Sequence, residues 1–257
     1  MSKGKQAARK LMFECGIENP TEFPLEDIVF GRGAILIETP LKNSEGRIVF
    51  GGSKALITIN SNISYAYKKR FIIAHELGHF EMHRHLAIRP DLDISSEYFK
   101  EGVHEREANE FASELLMPEH LFMKECSGKK FSPNLLRSLA ERFQTSLTSV
   151  AFKYFEEGEL PYCLFYSQNN KVLYWKKPED YPHFVNNRRN LKPPKDSVAA
   201  EFFNNQKIYK KEESKQHVWK STWFELNRDE DDSHFNFYEY CIVTRAYNSV
   251  ISIVWEE

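Results

Sequence analysis

The 257-residue sequence contains no apolar run approaching the roughly 20 residues that cross a bilayer, so no membrane span is expected. It also lacks an excess of either charge. Lys and Arg number 35 against 37 Asp and Glu, a formal net charge of −2, which offers no global attraction to nucleic acid or to an anionic membrane. Cysteine is scarce: Cys15, Cys126, Cys163 and Cys241 stand far apart, with neither the paired spacing of a zinc knuckle nor that of a redox motif. They read as reduced structural thiols of a cytoplasmic protein. The basic start, "MSKGKQAARKLMFECG", is not followed by the apolar stretch and small-residue cleavage site of a secretory leader. No repeats or low-complexity segments are present. What remains is the composition of an ordinary globular protein, 41% hydrophobic and 28% charged, large enough for one sizeable domain or two small ones.

The hydrophobic pattern changes period along the chain. Gln6 to Cys15 reads as a short helix stopped by Gly16. "GAILIETP", "GRIVFGG" and "ALITIN" read as strands of a small antiparallel sheet. From about Ser64 the spacing turns helical, and "IRPDLDISSEYFKEG" reads as a loop before a second helix in "HEREANEFASELLMP". Two or three short helices follow, with Ser132-Pro133 as a start signal. Beyond Gly158, "LPYCLFYS", "KVLYWKK", "VWKSTWFEL" and "EYCIVTRAYNSVISIVWEE" look like strands. The basic "NNRRNLKPPKDS" and acidic "NRDEDDSH" stretches between them read as solvated surface. The tryptophans Trp175, Trp219, Trp223 and Trp255 read as core. The expected organisation is an α+β chain with a core over 1–125, a helical segment over 126–158 and a β-rich α+β domain over 159–257.

Four of the nine histidines fall in "RFIIAHELGHFEMHRH", Arg70 to His85. His75-Glu76-Leu77-Gly78-His79 fits HExxH. On a helix, residues i and i+4 share a face, so both imidazoles reach one ion. Glu76, one step round, can serve as a base without entering the coordination sphere. Catalytic zinc takes three protein ligands, so one more is needed. His85 stands where HExxHxxGxxH has its last histidine, but the glycine that turns the chain there is replaced by Met82, and Met117-Pro118 is not a Met-turn. The second helix offers two glutamates. At 100° per residue, Glu105 lies about 60° and Glu107 about 100° from the centre of its apolar stripe. Glu105 is the more inward and the expected third ligand, with Asn109 on the same face to orient a ligand; Glu107 reads as a solvated charge. His83 continues the histidine face by one turn and could support a ligand from behind or stabilise an oxyanion, for which Tyr65 and Tyr67 also qualify. No cysteine lies near either helix, which disfavours a closed structural zinc site.

"RFIIAHELGHFEMH" followed by "EREANEFASELLMP" resembles the ImmA/IrrE family of zinc metallopeptidases, with its RFxxAHELGHxxxH and ExxANxFAxxLLMP helices. The resemblance runs from about Gly31 to about Tyr154. It implies a small zincin-like core, Zn2+ held by His75, His79 and Glu105, and Glu76 as the base that assists attack of a zinc-bound water on a peptide bond. It also implies an anti-repressor role, in which the protein substrate is a helix-turn-helix, XRE-type transcriptional repressor. "LLRSLAERFQTSLTSVAFKYF" resembles the helix-turn-helix-like segment that follows the peptidase core in some members. The residues after Gly158 would then be a GAF-like sensing or partner domain. Direct DNA binding is not expected, because few basic residues, Arg142 and Lys153 among them, lie in or near "LAERFQTSLTSV". An extended substrate is expected to pair along an edge strand, with "ALITIN" as the candidate.

Overall fold

A computed structural model describes residues 1–51, 54–87 (the backbone alone for 85–87), 102–158, 161–186, 190–211 and 214–257. The loop read over 88–102 therefore lies outside the described residues except for its last position, as do the side chain of His85 and residues 187–189 of the basic connector. Contact density divides the chain into two units, 1–127 with 138–153, and 128–137 with 154–257. Among the described residues no helix is long and apolar enough to cross a membrane.

In the first unit, α1 (Lys3–Cys15) starts at Ser2, whose hydroxyl accepts the Lys5 N–H, and stops at Gly16 in the left-handed conformation. α2 (Leu25–Gly31) leads into β1 (Ala34–Thr39), followed by β2 (Gly46–Gly51), β3 (Lys54–Asn60), α3 (Ala66–Ala87), α4 (Val103–Leu116) and α5 (Glu119–Cys126). Ile72, Ile73, Ala74, Leu77, Phe80 and Met82 of α3 are buried, as are Ala108, Phe111, Ala112, Leu115 and Leu116 of α4. Two apolar stripes at 3.6-residue spacing make this helix pair. Gly78 brings the two backbones close, because a Cβ there would stand 3.0 Å from the Phe111 ring. Gly4 does the same for α1, where a Cβ would run into the Glu107 carbonyl of α4.

The three strands do not form the wholly antiparallel sheet expected. Their order is β1-β3-β2, with β1 parallel to β3 and β2 antiparallel to it. "ALITIN" is therefore central rather than at an edge, and Ala55, Ile57 and Ile59 are buried. The connection from β1 to β2 passes over the end of β3. Asn60 makes this crossing possible: its amide donates to the carbonyls of Leu41 and Ser44 at 3.0 and 2.8 Å, and its oxygen accepts from the Leu41 N–H. β2 is left as an edge strand among the described residues.

Farther along, α6 (Pro133–Phe143) begins at Ser132, whose hydroxyl accepts the Leu135 N–H, and α7 (Leu147–Glu157) completes the helical middle segment. The second unit contains an antiparallel sheet of β4 (Cys163–Gln168), β5 (Lys171–Lys176), β6 (Gln216–Val218), β7 (Phe237–Thr244) and β8 (Ser249–Glu256), in the order β5-β4-β8-β7-β6. Asn169 and Asn170, both at positive φ, make the two-residue turn between β4 and β5. α8 (Val198–Asn205) packs Val198, Ala199 and Phe202 against Phe165, Trp223 and Val254. Its first N–H groups donate to the buried Glu239 carboxylate, at 2.8 Å from Val198 and 3.2 Å from Ala199. "VWKSTWFEL" is not one strand: after Val218 the chain turns through α9 (Lys220–Trp223). Trp223 and Trp255 are core residues, but Trp219, just before α9, is half exposed and packs edge-on against His217.

Candidate metal centre

α3 and α4 bring three donors of two helices to one point. His75 Nε2 lies 3.2 Å from one oxygen of Glu105, His79 Nε2 lies 3.2 Å from the other, and the two nitrogens are 3.1 Å apart. Tetrahedral bonds of about 2.0 Å require ligand atoms about 3.3 Å apart, so this set fits a zinc ion. Each imidazole is also held from behind. His75 Nδ1 stands 3.0 Å from Asn109 Oδ1; with Nδ1–H donating, Nε2 is left bare for a metal. His79 Nδ1 stands 2.9 Å from His83 Nδ1, and His83 Nε2 in turn 2.8 Å from Glu107 Oε2. A single tautomer chain satisfies both contacts: His79 Nδ1–H donates to His83 Nδ1, and His83 Nε2–H donates to Glu107.

The electrostatics follow from the burial. Glu105 loses hydration, but its hydrogen bonds to His75 and His79 outweigh that and hold its carboxyl down at about 2. Burial depresses His79, and depresses His83 to about 4. Glu76 is buried first of all, and the nearby Glu105 charge adds to the effect, so its carboxyl is pushed up to about 7 despite His75. That value suits a base working near neutrality. The Glu76 carboxylate stands against the edge strand. A Cβ on Gly46 would lie 2.6 Å from Glu76 Oε1, so glycine leaves this carboxylate its present place. A cavity of about 280 Å³ opens here, walled by Ser44, Gly46 and Ile48 on one side and Phe71, His75 and Glu76 on the other.

Of the residues singled out in the sequence, His75, His79 and Glu105 converge, Glu76 faces the same cavity, and Asn109 reaches His75. Glu107 is not a solvated charge: it holds His83 and accepts from Lys3 Nζ at 3.0 Å. His83 is wholly buried behind His79. Neither it nor Tyr65 or Tyr67 lines the cavity. The residue that sequence reasoning missed is His104, whose Nδ1 lies 3.7 Å from Glu107 Oε2 and whose ring packs on that of His83. Its i,i+3 spacing to Glu107 was the available signal.

Residues 32–155 match the family Peptidase M78, described as the IrrE N-terminal-like domain. This part of the chain is similar to an IrrE N-terminal-like domain of that peptidase family. The M78 match contains α3, α4 and every residue of the centre, whereas α1, which supplies Lys3, precedes it. No curated protein matches the chain. Among solved structures, a Mycobacterium tuberculosis transcriptional regulator is similar in fold, with a TM-score of 0.62 and 11% identity, over 100% of this chain and 76% of that one.

Proposed function

We propose that the chain is a zinc-dependent endopeptidase whose protein substrate is a helix-turn-helix, XRE-type repressor. The observation that carries the peptidase chemistry is the spacing of His75, His79 and Glu105 beside a buried carboxyl on a cavity wall. A zinc ion held by these residues supplies Lewis-acid polarisation of water and of the scissile carbonyl. Glu76 takes the proton from the attacking water and returns it to the departing amine nitrogen. Asn109 and His83 keep the two imidazoles in the tautomers that leave Nε2 bare. The main-chain groups of β2 pair with an extended stretch of substrate, which brings its carbonyl to the cavity. The repressor substrate rests on the family resemblance, as does the division into a peptidase core over 1–125, a helix-turn-helix-like segment over 126–158 and a GAF-like sensing or partner domain over 159–257.

Glu76→Gln tests the chemistry. The variant is expected to bind zinc with the affinity of the unaltered chain and to lose cleavage of a cognate repressor by at least about 100-fold, in line with the loss of a general base. Retained cleavage would remove Glu76 from the reaction. Binding of DNA by the isolated chain, without a partner, would favour a regulator in which the metal is structural.

A further inference from the structure

The structure holds a second set of metal donors one helical turn away. One donor atom each of His83, His104 and Glu107 lies within 4.8 Å of the others, His83 on α3 and the other two near the start of α4. Two imidazoles and a carboxylate are again a donor set that borderline transition metals accept. A cation already sits at this carboxylate, the Lys3 ammonium at 3.0 Å, and its side chain is more than half exposed, so it can swing away. The spread is uneven, 2.8 Å from Glu107 to His83 and 3.7 Å to His104, so this set is less ready than the first.

The two sets are joined by one bond, His79 Nδ1 to His83 Nδ1, at 2.9 Å. A neutral imidazole carries one proton, and that bond holds one proton. When His79 ligates through Nε2, its proton is on Nδ1 and points at His83. His83 must then carry its own proton on Nε2, which closes the second site. When His83 ligates through Nε2, its proton is on Nδ1 and points at His79. His79 then carries its proton on Nε2, facing Glu105, which closes the first site. Metal at both would set two N–H groups against each other at 2.9 Å, between rings that are 2% and 0% exposed and cannot turn away freely.

We propose that His83, His104 and Glu107 form a second divalent transition-metal site, and that the shared His79–His83 proton lets metal occupy one site or the other but not both. This rests on the reading of His75, His79 and Glu105 as the catalytic metal site. A chain loaded at the second set has a blocked His79 and is an off state, reversed without any change in proton number when the metal moves back.

The full chain is tested with cobalt(II), whose visible bands report tetrahedral coordination, and with long-range proton–nitrogen spectra of the histidines, which report tautomers. The intact chain is expected to saturate at one cobalt. His75→Ala with Glu105→Gln, which leaves the second set alone, is expected to bind one cobalt and to carry the His83 proton on Nδ1. His104→Ala is expected to bind one cobalt with that proton on Nε2. Combining all three substitutions is expected to weaken binding at least tenfold relative to either. A His75→Ala, Glu105→Gln chain that binds no better than the triple variant overturns the second site and leaves His83 and Glu107 as supports of His79. Two cobalt ions bound at once to the intact chain overturn the exclusion. Failure of His104→Ala to bind cobalt overturns instead the catalytic reading on which the inference rests. If the double variant does not keep its helical circular dichroism, Glu105→Gln alone replaces it, and the position of the His83 proton decides.

Discussion

At the scale of single residues, the centre is built from nitrogen atoms whose protons are fixed by partners behind them. Asn109 does this for His75. Asn109→Ala is therefore expected to lower zinc affinity by about 10–100-fold while leaving the fold intact, as measured by competition with a chelator. An unchanged affinity would mean that Asn109 does not set the tautomer. The convergence of His75 and His79, with Glu76 beside them, was legible in the sequence because helical spacing alone puts positions 75 and 79 on one face. Glu105 was legible because the apolar stripe of its helix gives a direction. The roles of Glu107 and His104 were not, because both depend on where the start of α4 meets α3 and α1, a contact between segments that no periodicity reports.

Elements place these residues through close approaches. Gly78 lets α3 lie against Phe111 of α4, and Gly78→Ala is expected to destabilise the protein by about 1–3 kcal/mol through overpacking, seen as a lower melting temperature. A variant that melts with the unaltered chain would show that Phe111 has room to yield. Gly46→Ala presses on the Glu76 carboxylate and on the buried Ile72 side chain of α3 together. Its methyl group would stand 2.6 Å from Glu76 Oε1 and displace that carboxylate, so on the proposed reading proteolysis should fall at least tenfold with zinc content unchanged. Retained proteolysis would show that Glu76 works from another position. The strands of this region were readable from alternation, but their order was not. Alternation fixes which side chains face the core, and the parallel pairing of β1 with β3 depends instead on the Asn60 side chain satisfying a crossing loop. In the second unit, aromatic content hid the short helix α9 inside a stretch rich in strand formers.

Across the molecule, one contribution to stability in acid comes from Glu114 of α4, which is fully buried and receives Arg9 of α1 at 2.7 Å and Lys153 of α7 at 3.0 Å. Burial raises its carboxyl pKa, but Lys153 and Arg9 together outweigh that, so its pKa in the folded chain lies below the ordinary 4.5. A depressed carboxyl contributes stability that is fully present above pH 4.5 and is lost as the pH falls through the lower, folded value. Glu114→Gln is expected to cost about 3–5 kcal/mol near neutrality, because the buried Lys153 loses the Glu114 charge 3.0 Å away. The same variant should lose less on acidification below pH 4.5 than the unaltered chain. Denaturant melts at pH 7 and pH 4 measure both, and parallel acid losses in the two proteins would take Glu114 out of the account. The open flank of β2 has a different kind of consequence. On the proposed reading, a groove that grips through peptide groups holds what every amino acid has in common, so it is nearly indifferent to spelling. Which proteins are cut is then decided by slack: a target is vulnerable where its chain can be drawn out straight, and safe where it stays folded.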